Sequence, residues 1–238
     1  MIKKIFKYLG LDIQRANRTL DNESSLKGAF KRIQDQNINF STIIDIGAST
    51  GSWSIKAYDF FPKAKYFLVE AQNSHEKHLK KNKKNFGFEY EITAAGDYEG
   101  NIYFDTTSLL GGRAYKEKPD LTKTVSVPIN TIDNLINKNN LKPPFLIKLD
   151  THGFEVPILD GCNNALEQTE ILIIEVYNFH LSEGALRFNE MIGYLEKKGF
   201  HVWDVIDVMR RPGDNVLWQM DMLFARSDRK EFSKNTFE

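Results

Sequence analysis

Two acidic residues and a histidine stand at the ends of apolar, strand-like segments in the second half of the chain. Asp150 ends the segment FLIKLD, His152 follows it by two residues, and Glu175 lies near the end of ILIIEVY. Carboxylate and imidazole groups can accept or donate protons near neutral pH, so they can act on a substrate hydroxyl. Ligands of open α/β sheets bind beyond the carboxyl ends of the strands. We therefore expect Asp150, His152 and Glu175 to be the catalytic residues of one site.

A run of small residues forms a second candidate site earlier in the chain. In IIDIGASTGSWS, Asp45 ends an apolar segment and is followed by Gly47, Ala48, Ser49 and Gly51. A small-residue turn between a strand and a helix lets a ligand approach the backbone and the free N–H groups of the helix. The run lacks the lysine of the GxxxxGK(S/T) phosphate loop and the third glycine of the GxGxxG dinucleotide loop. The spacing that remains, Asp-x-Gly-x-x-x-Gly, is typical of S-adenosylmethionine (SAM) methyltransferases.

The ends of the next two strand-like segments supply further groups for SAM. Glu70 ends KYFLVE, where a carboxylate can accept hydrogen bonds from ribose hydroxyls, and Ala71 follows it. Ala95 and Asp97 follow the third segment, where we expect them to flank the adenine and Asp97 to accept from its amino group. The acidic groups at the first and fourth segment ends would lie near the sulfonium cation and the ammonium group of SAM. The predicted cofactor-binding residues are Asp45, Gly47, Ala48, Ser49, Gly51, Glu70, Ala71, Ala95, Asp97 and Asp150.

These candidate residues need a framework of strands to bring them together. Short segments rich in β-branched and aromatic residues recur along the chain, and most are apolar on both faces, as buried parallel strands are. Helical segments separate them, at 24–38, 52–61 and 185–198 and in the lysine-rich SHEKHLKKNKKN. The alternation predicts an α/β fold, doubly wound, with a mostly parallel seven-stranded sheet. The predicted strands are Thr42–Ile46, Lys65–Glu70, Glu89–Ala94, Phe145–Asp150, Ile171–Tyr177, Phe200–Val205 and Met220–Ala225.

One region interrupts the alternation of strands and helices. Asn101–Phe104 and Thr124–Ile129 resemble strands, but no helical segment separates them, and Pro128 is unfavourable in a central strand. We predict a hairpin-like insertion at the edge of the sheet, with a turn-rich tip over 105–123, and expect Thr131 to cap the helix that follows. The tip and the loop after the fifth strand are expected to choose the acceptor. The predicted acceptor-binding residues are Ser108, Arg113, His152, Tyr177 and His180.

The overall composition narrows the class of partner and the compartment. The 238 residues carry a formal net charge of zero, whereas general nucleic-acid binders usually have a basic excess, so we expect a small-molecule or glycan acceptor and no nucleic acid. Cys162 is the only cysteine, which fits a reducing, cytoplasmic location. No run approaches the roughly 18 apolar residues of a transmembrane segment. The composition leaves the oligomeric state open.

No sequence motif in the chain demands a metal. The zinc-binding patterns CxxC and HExxH are absent. Asp150, His152 and Glu175 could in principle supply oxygen and nitrogen ligands, but their spacing does not require an ion. We therefore predict no metal site, and we expect Glu155 to hold the loop around His152 rather than to take part in the chemistry.

Three blocks of the chain resemble the FkbM family of SAM-dependent methyltransferases. DIGASTG (45–51) is similar to the family's D-x-G-A-N-x-G, AAGDYEGNIYF (94–104) to A-L-G-D-x-x-G-x-x-x-F, and IKLDTHGFEVPILDG (147–161) to I-K-I-D-V-E-G-x-E-x-x-V-L-x-G. The chain departs from these patterns at Ser49, where the family has asparagine, and at His152, where it has glutamate. The resemblance implies a Rossmann-like class I methyltransferase fold, SAM as methyl donor with S-adenosylhomocysteine as product, and transfer to a hydroxyl of a sugar, glycan or natural product.

The resemblance also suggests how the chain divides. We expect an N-terminal helical extension over 1–40, in which Ile2, Ile5, Phe6 and Leu9 share one helical face. A SAM-dependent methyltransferase domain should follow over 41–226. A charged C-terminal tail over 227–238 completes the predicted organisation.

Other functions stay open at this point. The change at His152 favours a non-catalytic SAM-binding or partner-binding module that kept the fold. A Rossmann-type dehydrogenase is disfavoured by the glycine spacing. An RNA methyltransferase is disfavoured by the zero net charge and by the absence of an Asn/Asp-Pro-Pro-Tyr motif for amino-group acceptors.

Overall fold

Eleven strands form two sheets in the computed structural model, which describes residues 23–108, 111–120 and 123–237. Seven of them form the main sheet, as predicted. In chain order the strands are β1 (Thr42–Ile46), β2 (Lys65–Glu70), β3 (Glu89–Ile92), β4 (Ala94–Ala95), β5 (Gly100–Asp105), β6 (Arg113–Tyr115), β7 (Thr124–Asn130), β8 (Phe145–Leu149), β9 (Thr169–Tyr177), β10 (Phe200–Arg210) and β11 (Leu217–Arg226).

The main sheet has the order β10-β11-β9-β8-β1-β2-β3. β3, β2, β1, β8 and β9 pair in parallel, and β11 pairs antiparallel with both β9 and β10. The mostly parallel α/β sheet is therefore confirmed. The carboxyl ends of β1, β2, β8 and β9 lie along one edge, because these strands run in the same direction.

Helices cover both faces of the main sheet. They are α1 (Leu26–Asp35), α2 (Ser52–Tyr58), α3 (Glu76–Phe86), α4 (Ile132–Lys138), α5 (Glu155–Asp160), α6 (Asn163–Glu167) and α7 (Phe188–Lys197), with 3₁₀ turns at Asn73–His75 and Lys230–Ser233. The predicted cap is confirmed, since Thr131 Oγ1 accepts the Asn134 N–H at 3.1 Å. Of these described helices, none is long and apolar enough to cross a membrane.

The central strands are buried on both sides, which explains their unbroken apolar sequences. Ile43 of β1 packs into one core together with Phe30 of α1, whereas Ile44 packs into the opposite core together with Leu195 of α7. Successive side chains of a strand point to opposite faces, so one strand contributes to both cores. The doubly wound arrangement is confirmed by these two cores.

The insertion differs from the predicted hairpin at the edge of the main sheet. β5 and β7 do pair antiparallel, but they belong to a separate four-stranded sheet with the order β4-β7-β5-β6. The predicted strand Glu89–Ala94 is broken at Thr93, because Ala94 leaves β3 and pairs in parallel with Ile129 of β7. Pro128 is tolerated in β7 because β4 pairs only with the two residues that follow it.

The last two strands extend well past their predicted bounds. β10 continues to Arg210 and β11 begins at Leu217, so the pair forms a long hairpin that reaches beyond the main sheet. Polar residues and a Pro-Gly turn at 212–213 made this part of the sequence resemble a loop. The extension matters for function, because it carries Met209 and Gln219 to the edge where the parallel strands end.

The two ends of the chain are described only in part. The predicted helical face of Ile2, Ile5, Phe6 and Leu9 lies outside the described residues. Within the same predicted extension, α1 packs on the core through Phe30, which is fully buried. In the charged tail, Arg229 forms an ion pair with Glu170 at 2.8 Å. The division of the chain at 40/41 and 226/227 stays a prediction.

Candidate active site

A cavity of about 490 Å³ opens at the carboxyl ends of the parallel strands. This volume is in the range of small-molecule sites. The glycine turn after β1 forms one end, and the segments after β8 and β9 form the other. The sequence-predicted site residues on its wall are Gly47, Ala48, Ser49, Glu70, Ala71, Ala95, Asp150, His152 and Glu175.

The glycine turn is kept small by the protein's own packing. Gly47 has a φ of +73°, and a Cβ there would lie 2.1 Å from the carbonyl oxygen of Asp150. Gly51 has a φ of +76°, and a Cβ there would lie 2.3 Å from Nδ2 of Asn82. Gly47 lines the cavity, whereas Gly51 lies behind it, as the first residue flanking α2. The glycines therefore let β1, β8 and α3 approach the turn closely, and the ligand side of the turn is presented by Ala48 and Ser49.

Glu70 is buried and fixed by main-chain donors. Its Oε2 accepts the Ser49 N–H at 2.6 Å, and its Oε1 accepts the Gln72 N–H at 2.7 Å. Burial raises the pKa of Glu70, although these two hydrogen bonds oppose the shift. Each carboxylate oxygen can accept a second hydrogen bond, so Glu70 can also receive a pair of vicinal hydroxyls from the cavity.

Asp45 lies behind the cavity wall, and its expected place near the sulfonium and the amino-acid head of SAM stays a prediction. It is fully buried, accepts a hydrogen bond from Ser54 Oγ at 2.6 Å, and lies 3.2 Å from Nζ of Lys148. Lys148 Nζ also lies 3.2 Å from Oδ2 of Asp150. Burial alone would lower the pKa of Lys148, but Asp45 and Asp150 raise it, so the lysine is charged.

Sequence reasoning missed the part played by Lys148. The signal was present, since FLIKLD places a single lysine in an otherwise apolar strand. A buried ammonium group needs anionic partners. The parallel pairing of β1 with β8 places Asp45 directly beside Lys148, and Asp150 lies two residues after Lys148 in the chain.

Asp150, His152 and Glu175 meet at the far end of the cavity. His152 Nε2 lies 3.8 Å from Oδ1 of Asp150 and 4.0 Å from Oε2 of Glu175, too far for direct hydrogen bonds. Glu175 accepts hydrogen bonds from the hydroxyl of Tyr177 and from Nε2 of Gln219. The three side chains therefore surround a space that an additional ligand can enter.

The two carboxyl groups of this cluster have different acidities. Burial, together with the neighbouring Asp150 carboxylate, raises the pKa of Glu175 to about 8. Burial would also raise the pKa of Asp150, but Lys148 and His152 outweigh it and hold that pKa below its usual value. Near neutral pH the cluster therefore holds an ionised Asp150 beside a Glu175 that is mainly protonated.

The loop that carries His152 is held in an unusual conformation. His152 has a φ of +56°. Glu155 accepts hydrogen bonds from Oγ1 of Thr151 at 3.0 Å and from the Gly153 N–H at 3.1 Å. These bonds fix the turn on both sides of His152, in agreement with the predicted holding role of Glu155.

Two polar atoms on the cofactor end have no hydrogen-bond partner within the described part of the chain. They are Oγ of Ser49 and Nε1 of Trp53, both buried, and both residues line the cavity. Buried polar groups are normally satisfied, so these atoms are suited to a polar ligand. They lie by the first turn of α2, where free N–H groups favour a carboxylate. With Glu70 for the ribose, this donor set fits the amino-acid head and sugar of SAM.

The other acceptor-binding candidates lie off the cavity wall, as does Asp97. Arg113 donates to the carbonyl oxygen of Leu181 at 2.9 Å. His180 is exposed and contacts Oε2 of Glu190 at 2.8 Å, while the carbonyl oxygen of Ser108 accepts from Gln72 at 3.3 Å. Tyr177 acts on the site through Glu175. Asp97 forms a surface ion pair with Lys116 at 3.2 Å, and its expected contact with the adenine stays a prediction.

Other residues take the places on the wall that these candidates were expected to fill. They come from the second sheet and from the long hairpin, and none was singled out from the sequence: Phe104, Gly112, Ala114, Met209 and Gln219. Their positions depend on pairings between distant segments, which local patterns do not reveal.

Comparisons with known proteins were made on sequence and on structure. The sequence profile of the Methyltransferase FkbM domain matches residues 45–202. No curated protein sequence matches the chain. A candidate O-methyltransferase from Klebsiella pneumoniae shares 12% identity and a TM-score of 0.50, over 94% of this chain and 87% of that one. Magnesium protoporphyrin IX methyltransferase from Synechocystis PCC 6803, solved with bound SAM, shares 10% identity and a TM-score of 0.48, over 95% of each chain. At these identities the likeness concerns the fold alone, which is Rossmann-like and of class I.

Proposed function

We propose that the chain is a SAM-dependent O-methyltransferase. The premise is that it belongs to the FkbM methyltransferase family, whose domain profile matches residues 45–202. SAM is its methyl donor and S-adenosylhomocysteine its product. The acceptor group in this proposal is a hydroxyl of a sugar, a glycan or a natural product. The observation that carries the proposal is the single cavity that joins Ser49 and Glu70 at one end to Asp150, His152 and Glu175 at the other.

The cofactor end of the cavity has groups for each polar part of SAM. Glu70 would accept the ribose hydroxyls, and Ser49 and Trp53 would bind the amino-acid head. Ala71 and Ala95 leave room for the flat adenine on the wall nearest to the second sheet. When bound, SAM supplies an electrophilic methyl group on a cationic sulfur that is already a good leaving group.

The acceptor end of the cavity has groups suited to a hydroxyl. As the acceptor oxygen forms its bond to the methyl carbon, the carbon–sulfur bond breaks and the hydroxyl proton must leave. His152 Nε2 is turned towards both carboxyl groups without a hydrogen bond to either, so a hydroxyl placed between them can give its proton to this nitrogen. Asp150, Glu175 and Tyr177 would fix the orientation of the imidazole and the acceptor, which matters because much of the rate comes from alignment.

The proposal extends to the kind of acceptor and to the compartment. A small molecule or glycan is favoured over a nucleic acid because the net charge is zero. The cytoplasmic location is supported by the lone Cys162, which is fully buried. Acceptor choice would depend on Phe104, Met209 and Gln219, since these residues come from the second sheet and the long hairpin.

The test is transfer of labelled methyl from SAM to a panel of hydroxylated, amino and carboxylate acceptors. We expect product with hydroxyl acceptors. His152→Asn keeps a residue type that tolerates positive φ but removes the imidazole, so turnover should fall about 10²–10⁴-fold while SAM affinity stays within twofold. His78→Ala, which removes an exposed histidine on α3, should change neither.

Three results would contradict the proposal in different ways. Methylation of amino groups alone would refute O-methyl transfer. Tight SAM binding without transfer to any acceptor would favour the non-catalytic module. Quenching of NADH fluorescence without SAM binding would favour the dehydrogenase.

A further inference from the structure

We propose that Asp150, His152 and Glu175 together bind one divalent cation of the Mg²⁺ or Mn²⁺ class. The inference goes beyond methyl transfer itself, and its functional meaning rests on the proposed function, because the cation would hold the acceptor oxygen. Each of the three side chains offers one ligand atom, and these atoms all lie within 4.8 Å of one another.

His152 lies at distances that suit a shared ion better than direct hydrogen bonds, whereas Asp150 and Glu175 lie within hydrogen-bonding reach of each other. His152 Nε2 lies 3.8 Å from Asp150 and 4.0 Å from Glu175, beyond hydrogen-bonding range. Bonds of about 2.0–2.2 Å from a small divalent cation to oxygen and nitrogen place neighbouring ligand atoms roughly 3–4 Å apart. In the octahedral geometry that Mg²⁺ prefers, neighbouring ligand atoms lie about 3 Å apart, so side-chain rotation would have to draw the three atoms together by about 1 Å or more to reach one ion.

The carboxylates of the cluster are also oriented from behind, as metal ligands usually are. Lys148 Nζ holds Oδ2 of Asp150, which leaves Oδ1 facing His152. The hydroxyl of Tyr177 and the amide of Gln219 hold the two oxygens of Glu175. Such outer partners fix ligand geometry and are part of a metal site's design.

The charge balance around the cluster points in the same direction. Four acidic side chains gather here, since Asp45 and Asp150 flank Lys148 and Asp221 pairs across the strands with Glu175. Lys148 is the only lysine or arginine on the cavity wall in the described ranges. Lys148 supplies one positive charge to Asp45 and Asp150, and a divalent cation would supply the counter-charge that Glu175 needs when it binds as a carboxylate.

The ligand set indicates the class of ion and its use. Two carboxylates and one imidazole are oxygen-rich, which favours Mg²⁺ or Mn²⁺ over ions that prefer thiolates. Three protein ligands leave positions open on the cavity side. With the ion bound, Nε2 of His152 would be a ligand and no longer the base. The ion would make an acceptor hydroxyl acidic enough to release its proton to water in the cavity, and it would hold the oxygen close to the methyl group.

The cation is tested by titrating the full chain with Mn²⁺ in the absence of SAM and acceptor, with the free ion followed by electron paramagnetic resonance. We expect one Mn²⁺ per chain, displaced by excess Mg²⁺. Glu175→Gln, Asp150→Asn and His152→Ala should each weaken Mn²⁺ binding by at least about tenfold. Glu167→Gln and His78→Ala remove an exposed carboxylate and an exposed imidazole, so they should leave Mn²⁺ binding unchanged.

The thermal unfolding transition shows whether each variant has kept its fold, since Asp150 is itself a predicted SAM-binding residue. No stoichiometric Mn²⁺, or binding that survives in all three cluster variants, would overturn the cation site. Methyl transfer that persists fully after chelation, with no bound Mn²⁺, would refute the cation while leaving the O-methyltransferase intact. Stoichiometric Mn²⁺ without transfer to any acceptor would refute the proposed function and leave the cation site standing.

Discussion

The two ends of the cavity are held by different kinds of bond. At the cofactor end, main-chain groups fix the positions of the site residues. Glu70 accepts the N–H groups of Ser49 and Gln72, and Gly47 packs against the backbone of Asp150. At the acceptor end, side chains hold side chains, as Tyr177 and Gln219 hold Glu175.

This difference has a consequence for how the site can change. A backbone N–H is present whatever the side chain, so the cofactor end tolerates most substitutions outside its glycines, Glu70, Ser49 and Trp53. The acceptor end depends on particular side chains from the segments after β8 and β9 and from the long hairpin. A single substitution there can alter the acceptor without disturbing SAM. Cofactor binding and acceptor choice are therefore separable, except where one residue joins the two ends.

Lys148 is that joining residue, so its loss should have the largest effect on the fold. Lys148→Met leaves the fully buried Asp45 and the partly exposed Asp150 without their shared cation. Breaking a buried ion pair in this way costs about 3–5 kcal/mol, so the free energy of unfolding in urea should fall by that amount. Turnover should fall as well, because Asp150 loses the partner that orients it.

The matched control is Lys65→Met, at the exposed start of β2. Lys65 makes one long contact, 3.4 Å to the carbonyl oxygen of Asn139. Its replacement should change the free energy of unfolding by less than about 0.5 kcal/mol. Equal losses in the two variants would show that Lys148 does not join the two ends.

Gly47 tests the backbone-built end by itself. Gly47→Ala places a Cβ 2.1 Å from the carbonyl oxygen of Asp150 at a φ of +73°. Strain and overpacking together should cost about 2–4 kcal/mol in the free energy of unfolding, and SAM affinity in calorimetry should fall with it.

Gly193→Ala is the control, and it should change the free energy of unfolding in the opposite direction. Gly193 lies inside α7, and no atom lies within 4 Å of the added Cβ. Alanine should therefore stabilise the protein by about 0.5–1 kcal/mol and leave SAM affinity unchanged. If Gly47→Ala and Gly193→Ala had the same free energy of unfolding, close packing would not be the reason for glycine at position 47.

The same contrast explains how far the sequence could predict the molecule. Strand ends, the glycine turn and Glu70 are local features, and the bounds of β1 and β2 match the prediction to the residue. The place of Asp150, His152 and Glu175 on one cavity followed from the rule for parallel sheets.

What could not be predicted depends on contacts between distant segments. β4 has two residues and joins a different sheet, so no periodic pattern marks it. Gln219 reaches Glu175 only because β11 lies antiparallel beside β9. His180 lies off the cavity wall and contacts Glu190 at the start of α7. These outcomes follow from pairing and register, which one sequence does not display.

Asp97 should give the smallest effect, and it sharpens the comparison within the cofactor end. The sequence predicts a contact between Asp97 and the adenine, whereas the structure pairs Asp97 with Lys116 outside the cavity. An exposed ion pair contributes about 0–1 kcal/mol, and Asp97→Asn removes only the charge, so SAM affinity in calorimetry should stay within twofold.

Glu70→Gln is the matched change on the cavity wall, where a neutral amide replaces a carboxylate that accepts two main-chain N–H bonds. In this variant SAM affinity should fall at least about tenfold, because the amide nitrogen of glutamine cannot accept a hydrogen bond from an N–H group or a ribose hydroxyl. A loss of affinity in Asp97→Asn as large as in Glu70→Gln would mean that Asp97 leaves Lys116 and turns to the adenine when SAM binds. Part of the cofactor site would then depend on a side chain, as the acceptor end does, and not only on the backbone.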